Sequence, residues 1–462
     1  MEEQIAALTA ELASMKEGMA GLNRTTAETF YWLTIPLMVL IHAGFLSYEM
    51  GASRAKNALA SGIKNILAFA FIIPTFYYAG WFIYWAFPTG FSMAPGPLGT
   101  SGLEYAIGAA NPAGSVMGPN VADSATGVFF GAFAMFAATT ASIMSGSLIE
   151  RIQIVGFTIL AIVLGSFVWI LGAAWGWHAD GWLVTALGYH DFGASGVVHA
   201  IAGFFTLGVL INLGARIGKF NADGSANAIA GHSMPAALVG LMLIIAGFWG
   251  FLMGCVIFPG EPWSWGQGIF HTIYGTPVTL SAMTFNILMG FAGGAIAAWV
   301  MTHDPFWMMS GALGGIISVA GGLDLYWPPM AFVIAMIGGV IMPLVAGYVE
   351  KLRIDDAVGA VALHGVVGLW GVIAVGIFAS GYPSLTAEGA PTITLYGQVV
   401  GALVMAALGF IPGYLVSLAL KKLGMLRVPN SAEILGLDKV KVPVEAYPEF
   451  LGARPAPATP AE

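Results

Sequence analysis

Two histidines lie inside apolar stretches of the chain, His199 in SGVVHAIAG and His364 in VALHGVVGLWG, each with a glycine four positions on, Gly203 and Gly368. A neutral imidazole both donates and accepts a hydrogen bond, and small changes of environment alter its charge. Two of them, at matching places in the two halves of the chain, suggest a paired site on a path through the membrane. Ionisable groups inside membrane helices are costly and mark such paths. The plainer alternative is that each histidine bonds a backbone carbonyl and serves packing. His42 is a third case, either a packing residue bonded to a carbonyl or part of a proton path. His178, His190, His232, His271 and His303 fall at helix ends or in loops, where solvated or interfacial roles are expected. The single cysteine, Cys255, excludes an intrachain disulfide and a cysteine metal cluster. The sequence has no His/acid cluster with metal spacing, no phosphate-cradling glycine loop and no nucleophile elbow. No enzyme activity, metal, cofactor or nucleic-acid partner is expected.

The elements that must position these residues are membrane helices. The chain is 58% hydrophobic and 9% charged, which fits an all-α polytopic membrane protein. A span needs about 20 apolar residues. Eleven segments qualify, near 28–50, 59–87, 127–149, 153–176, 193–214, 233–257, 278–301, 306–323, 328–349, 357–380 and 394–420, the eighth short and glycine-rich. Beyond the N-terminal segment, every Lys and Arg lies in or beside the first, third, fifth or ninth loop, or in the tail. The positive-inside rule then puts the N-terminus outside, the C-terminus in the cytoplasm, and requires an odd number of spans.

Helix 1 contains IHAGFLSYEMG and helix 6 contains IIAGFWGFLMG, and helices 5 and 10 hold the two histidines. Helices 1–5 and 6–10 therefore read as two copies of one unit. Five is odd, so the second copy is inverted, an architecture that places a transport site near the midplane. Each histidine falls about two turns into its helix from opposite sides, roughly 10 Å deep in a core about 30 Å thick. Residues 1–24 differ from the rest. Ile5, Leu8, Leu12, Met15, Met19 and Leu22 follow a 3,4,3,4,3 spacing with charges between them, the pattern of an amphipathic or coiled-coil helix. It packs either on its own protomer or in an oligomerising bundle outside the membrane. Three parts are expected: this segment, a membrane domain over 25–422, and a cytoplasmic tail over 423–462 whose Pro/Ala-rich end is expected to be disordered.

These motifs resemble the ammonium transporter family (Amt/Mep/Rh). The likeness is carried by GASRAKN after helix 1, SGSLIERI after helix 3, WHADGWL and DFGASGVVH before helix 5, AGFWGF in helix 6, DDAVGAVALHGVVGLWG in helix 10, and RVPNSAEILGLDKVKVPVEAYP in the tail. It implies eleven helices, a homotrimer with one pore per protomer, a cell (inner) membrane location with the N-terminus outside, and ammonium or ammonia as the solute. It also implies roles for particular residues. His199 and His364 match the twin pore histidines. Phe136 and Phe251 resemble the stacked phenylalanine gate. Trp177, with Trp175 a near rival, takes the tryptophan position of an external recruitment site. Asp191 matches a structurally required aspartate, placed to cap a helix start. Such a site suits a small cation, which an aromatic face attracts, while an apolar pore penalises charge and favours deprotonation before passage.

The chain departs from the family pattern in places. Cys255 stands where a serine is expected in the recruitment site, and a thiol is a weaker hydrogen-bonding group. Ala132-Phe133 replaces the usual Phe-Gln, leaving the aromatic cage open on one side or filled by Phe133 after a local shift. Gly359 replaces the acid expected five residues before the second histidine, although Asp355 and Asp356 remain. Two further functions compete with ammonium transport: an ammonium sensor signalling through the cytoplasmic tail, and a conduit for methylamine-like molecules. The tail match at Gly436, Leu437, Asp438, Glu445, Ala446 and Tyr447 implies a cytoplasmic regulator of the PII type.

Overall fold

The computed structural model describes residues 1–93, 125–257, 270–386, 388–442, 444 and 446–448; Glu445 and the Pro/Ala-rich end lie outside them. Eleven principal helices carry the described chain: α1 (Glu2–Ala52), α2 (Ala55–Ala86), α3 (Ala125–Ser147), α4 (Ile154–Gly176), α5 (Ser195–Leu213), α6 (Met234–Met253), α7 (Leu280–Thr302), α8 (Pro305–Ala320), α9 (Pro328–Lys351), α10 (Val361–Phe378) and α11 (Leu395–Lys422). Ten are long and apolar enough to cross a membrane; α8, with 16 residues, falls short of that length. Helices suit such sequences because lipid offers no partner to a backbone N–H or C=O, so each must be satisfied within its own segment. Several starts are set locally. Ser233, Thr279, Asp304 and Thr394 each accept a hydrogen bond from a backbone N–H two or three residues on, and proline enters the first turn of α6 and α8.

The expected boundary at residue 24 falls inside α1, which runs unbroken for 51 residues. Nothing between Gly21 and Phe30 stops a helix, so the amphipathic segment and the first span are one rod. Pairing of the halves is visible in the packing. α1 lies along α6, and α5 touches α10. Gly44 and Gly240 let the first pair close: a Cβ on Gly44 would sit 2.6 Å from the Gly240 carbonyl oxygen. Small residues at helix crossings are the usual route to tight packing in lipid. α7 packs on α8 and α9, and α11 runs along α5.

Between α6 and α7 a small antiparallel sheet forms from β1 (Val256–Ile257), β2 (Phe270–Thr272) and β3 (Pro277–Val278), with Val256 opposite Thr272 and Phe270 opposite Val278. Its turn delivers Tyr274 to the start of α5. The Tyr274 hydroxyl donates to the Gly176 carbonyl at 2.7 Å and accepts from the Asp191 N–H at 3.0 Å.

The opposite end of the bundle is tied by charges. Arg54 pairs with Glu150, Arg216 binds Asp355 through two 2.9 Å bonds, and Arg151 donates to the Asp355 carbonyl at 2.5 Å. Burial opposes the Asp355 charge, but the Arg216 and Arg151 guanidinium groups hold its pKa well below the carboxylate range. The tail docks here: Asp438 accepts from the N–H groups of Leu59 (3.0 Å) and Ala60 (2.8 Å), capping α2, and Leu437 donates to the Asn57 side chain. Arg54, Arg151 and Arg216, which fall in loops of the sequence, thus build this layer together.

Candidate functional site

His199 and His364 occupy equivalent backbone settings. Each lies in a π-helical turn at the start of its helix, residues Ser195–Ala200 in α5 and Val361–Val366 in α10. Such single wide turns are rare and frequent at functional sites. Eight positions before each histidine (191 to 199, 356 to 364) stands an aspartate that caps the turn. Asp191 accepts from the N–H groups of Gly196 and Val197, both at 2.8 Å, and from the Tyr189 hydroxyl at 3.2 Å. Asp356 accepts from Ala360 at 3.0 Å, Val361 at 2.8 Å and the Ser147 hydroxyl at 2.5 Å. Five positions before each histidine the backbone turns left-handed, at Ala194 (φ 74) and Gly359 (φ 76). Gly359, which from the sequence was a missing acid, occupies a conformation where a glycine is cheapest.

This duplicated frame brings the two imidazoles together. Their Nδ1 atoms are 3.0 Å apart and the rings are stacked with centroids 5.1 Å apart. Both are buried. The glycines four positions on permit the approach. A Cβ on Gly203 would overlap the Gly365 backbone, and one on Gly368 would sit 2.5 Å from the Ser195 carbonyl oxygen. A 3.0 Å contact between two ring nitrogens requires one to donate and the other to accept. The neutral pair is therefore one Nδ1–H tautomer and one Nε2–H tautomer. Its two outer Nε2 atoms then differ in kind, one an acceptor and one a donor. Nε2 of His199 has no protein partner among the described residues.

Above the pair, rings continue in an unbroken column. His199 stacks on Phe251 at 6.0 Å, Phe251 meets Phe136 edge to face at 4.5 Å, and Phe136 meets Trp177 at 5.4 Å. Trp177 is held by a 2.7 Å bond from its indole N–H to the Asp191 carbonyl, so the aspartate that caps α5 also anchors the top of the column. Trp175 points elsewhere: it lines an apolar groove with Phe167, Leu171 and Leu408 and donates to the Phe87 carbonyl at 3.1 Å. Phe133 stands beside both Phe136 (5.9 Å) and Trp177 (6.0 Å) with no break in α3, so the Ala132-Phe133 departure leaves a ring against the column. Cys255, which the resemblance puts at the serine position of the recruitment site, is 2% exposed, and its thiol donates to the Phe251 carbonyl at 3.6 Å.

Three of the histidines expected to be solvated or interfacial are bound to protein. His190 is buried against the Asp324 carboxylate at 3.1 Å, and its backbone is clasped by Gln398. Burial disfavours its charge, yet the Asp324 carboxylate raises its pKa overall. His178 packs between Tyr84 and Trp85, and burial lowers its pKa. His232 bonds the Tyr447 hydroxyl at 2.6 Å and joins the tail to the bundle. Among the described residues His42 bonds no carbonyl; its ring nitrogens lie 3.5 Å from Thr139 and 3.3 Å from Ser142. Its neighbourhood leads on to a buried cluster of Ser145, Glu49, Asn65 and Lys64. In the sequence Asp356 stands only as a remaining acid and not as the counterpart of Asp191, because the Asp-x7-His spacing becomes meaningful only when both copies are aligned on their histidines.

Residues 29–447 match the model of the Ammonium Transporter Family. The chain is 31% identical to ammonium transporter Amt2 of Archaeoglobus fulgidus, over 94% of this chain and 93% of that protein. It is 28% identical to ammonium transporter Amt1 of Methanocaldococcus jannaschii, covering 91% and 96% of the two chains. Among solved structures it resembles one described as a sensor Amt protein, at 26% identity and a TM-score of 0.74 with 91% and 99% of the chains covered. The fold also matches Mep2 of Saccharomyces cerevisiae, at 21% identity and a TM-score of 0.67 over 87% and 90%.

Proposed function

This chain belongs to the ammonium transporter family, and on that premise we propose that it conducts ammonia through the column that ends on His199 and His364, as one pore of a homotrimer in the cell (inner) membrane. The observation that carries the proposal is the 3.0 Å contact between the two Nδ1 atoms beneath the Phe136–Phe251 ring pair. An ammonium ion attracted to Trp177 and the rings around it loses water stepwise, and each lost water raises the cost of its charge. Ammonia passes an apolar constriction at far less cost. The histidine pair can take a proton on the outer Nε2 that accepts. That imidazolium gives its Nδ1 proton to the other ring, which releases its own Nε2 proton. One proton enters, one leaves, and both tautomers are exchanged.

The aspartates keep this pair in register by capping the two π turns, and neither need touch the solute. The tail, seated on the N-terminus of α2 through Asp438, supports a regulatory role through a cytoplasmic partner such as a PII-type protein. Reconstitution in liposomes tests the proposal. An ammonium-evoked current that disappears in His199→Ala or His364→Ala supports it, and wild-type current with unchanged selectivity in both variants would sink it. A second reading is an ammonium sensor, favoured by the likeness to the sensor Amt protein over 91% of this chain. Saturable ammonium binding with no current in the same liposomes selects the sensor. Methylammonium-evoked current exceeding that from ammonium selects the alternative solute.

A further inference from the structure

The N-terminal part of the α1 rod carries an apolar seam that is open among the described residues. Residues 1–20 are all exposed, and the seam side chains range from 41% exposed at Met19 to 65% at Leu8. The helix is continuous with α1, so residues 2–22 extend about 30 Å as one piece with the first span. Read as heptads, Ile5, Leu12 and Met19 take the a positions and Leu8, Met15 and Leu22 the d positions. Among the described residues, no element of the protomer covers this stripe.

We propose that these segments of neighbouring copies of this chain wind into a parallel, in-register coiled coil. The orientation follows from the membrane: every copy threads it the same way, so all the rods emerge from one face and run in one direction. The charges agree with that arrangement. Glu11 falls at g and Lys16 at e, five residues on, the spacing at which g of one strand meets e of the next in a parallel coil. An antiparallel pair would set g against g and e against e and separate the two. No polar residue interrupts a or d, and alanines at b, c and f (Ala6, Ala7, Ala10, Ala13) favour the helix itself. Membrane domains already held together present the rods to one another at high effective concentration, so even three heptads suffice. The inference rests on the oligomer proposed above and adds a second, water-exposed clasp to it.

Oxidative cross-linking of the full-length protein in native membranes tests this, since the only cysteine, Cys255, is buried. Leu8→Cys and Met15→Cys, at d, should form intermolecular disulfides many-fold more than Ala10→Cys and Glu17→Cys, at the outward f position. Equal cross-linking at d and f, or none at d in a protein that native mass measurement finds oligomeric, would overturn the coil: the stripe then lies on its own protomer or on lipid. A monomeric mass would instead remove the assembly on which the inference rests. The register has its own test. Glu11→Lys should lower the temperature at which the oligomer dissociates at low salt, and adding Lys16→Glu should restore it. Failure of the double variant to recover overturns the in-register pairing.

Discussion

Residues 191–199 and 356–364 share one backbone design and differ in what surrounds it. Both run from a capping aspartate through a left-handed residue into a π turn that ends near a histidine. Around the first copy, Asp191 sits beneath Tyr189, Tyr274 and the Trp177 anchor, and one of its carboxylate oxygens has no protein partner among the described residues. Around the second, Asp356 also holds Ser147, and its neighbour Asp355 is locked by Arg216 and Arg151. The duplicated frame makes the histidines equivalent in position. The unequal surroundings make the two ends of the proposed path differ, aromatic at one, charged and joined to the tail at the other. Symmetry positions the pair, and asymmetry is free to give it direction.

The largest effect is expected at the pair itself. Removing either imidazole takes away a proton donor and acceptor, and conduction should fall by about 10²-fold or more, with the two variants alike. A large loss at one histidine and none at the other, in a liposome flux assay, would end the claim of equivalence. Next come the caps. Asp191→Ala and Asp356→Ala each strip a carboxylate from two buried N–H groups, a loss of about 1–3 kcal/mol apiece, read as earlier thermal unfolding in detergent. Asp191→Ala should further disturb conduction more than Asp356→Ala does, because the Asp191 side chain caps the turn whose backbone carbonyl holds Trp177.

The left-handed positions sharpen the comparison with smaller effects. Gly359→Ala puts a side chain where L residues are strained, at about 1 kcal/mol; its Cβ would lie 3.4 Å from Trp307, an ordinary contact, so strain is the whole cost. Ala194→Gly relieves the same strain but adds backbone entropy to the unfolded chain, about 0.5–1 kcal/mol, and should be near neutral in the same melt. Equal losses in both would mean the two turns are not built alike. The smallest effect is expected at Cys255→Ser. The hydroxyl can keep the bond to the Phe251 carbonyl, so apparent ammonium affinity should be unchanged or modestly tighter. A collapse in expression would mark the position as packing alone.

Much of the fold was legible because membrane helices are written in long apolar runs. The spans, the AGF repeat in helices 1 and 6, and the matched histidines all follow from hydropathy and spacing. What hydropathy and spacing do not contain is three-dimensional. The eighth segment is apolar, but its length alone left its span undecided. His190 looked like a loop residue and is buried, because Asp324, far along the chain, supplies the charge that makes burial tolerable. Trp175 and Trp177 are two residues apart and differ only in which way the end of α4 turns them, one into the ring column and one into an apolar groove.

Composition and period alone make this chain a multi-helix membrane protein with an inverted repeat and two histidines set apart from the rest. The sequence also contains the heptad stripe, although a period cannot say what covers a stripe. Folding alone brings the two imidazoles to 3.0 Å, makes Asp356 the counterpart of Asp191, and turns Gly359 into a backbone solution where an acid was expected. Those facts depend on φ angles and on helix crossings that bring residues 165 positions apart within hydrogen-bonding reach. Distance along the chain does not encode such contacts; packing creates them.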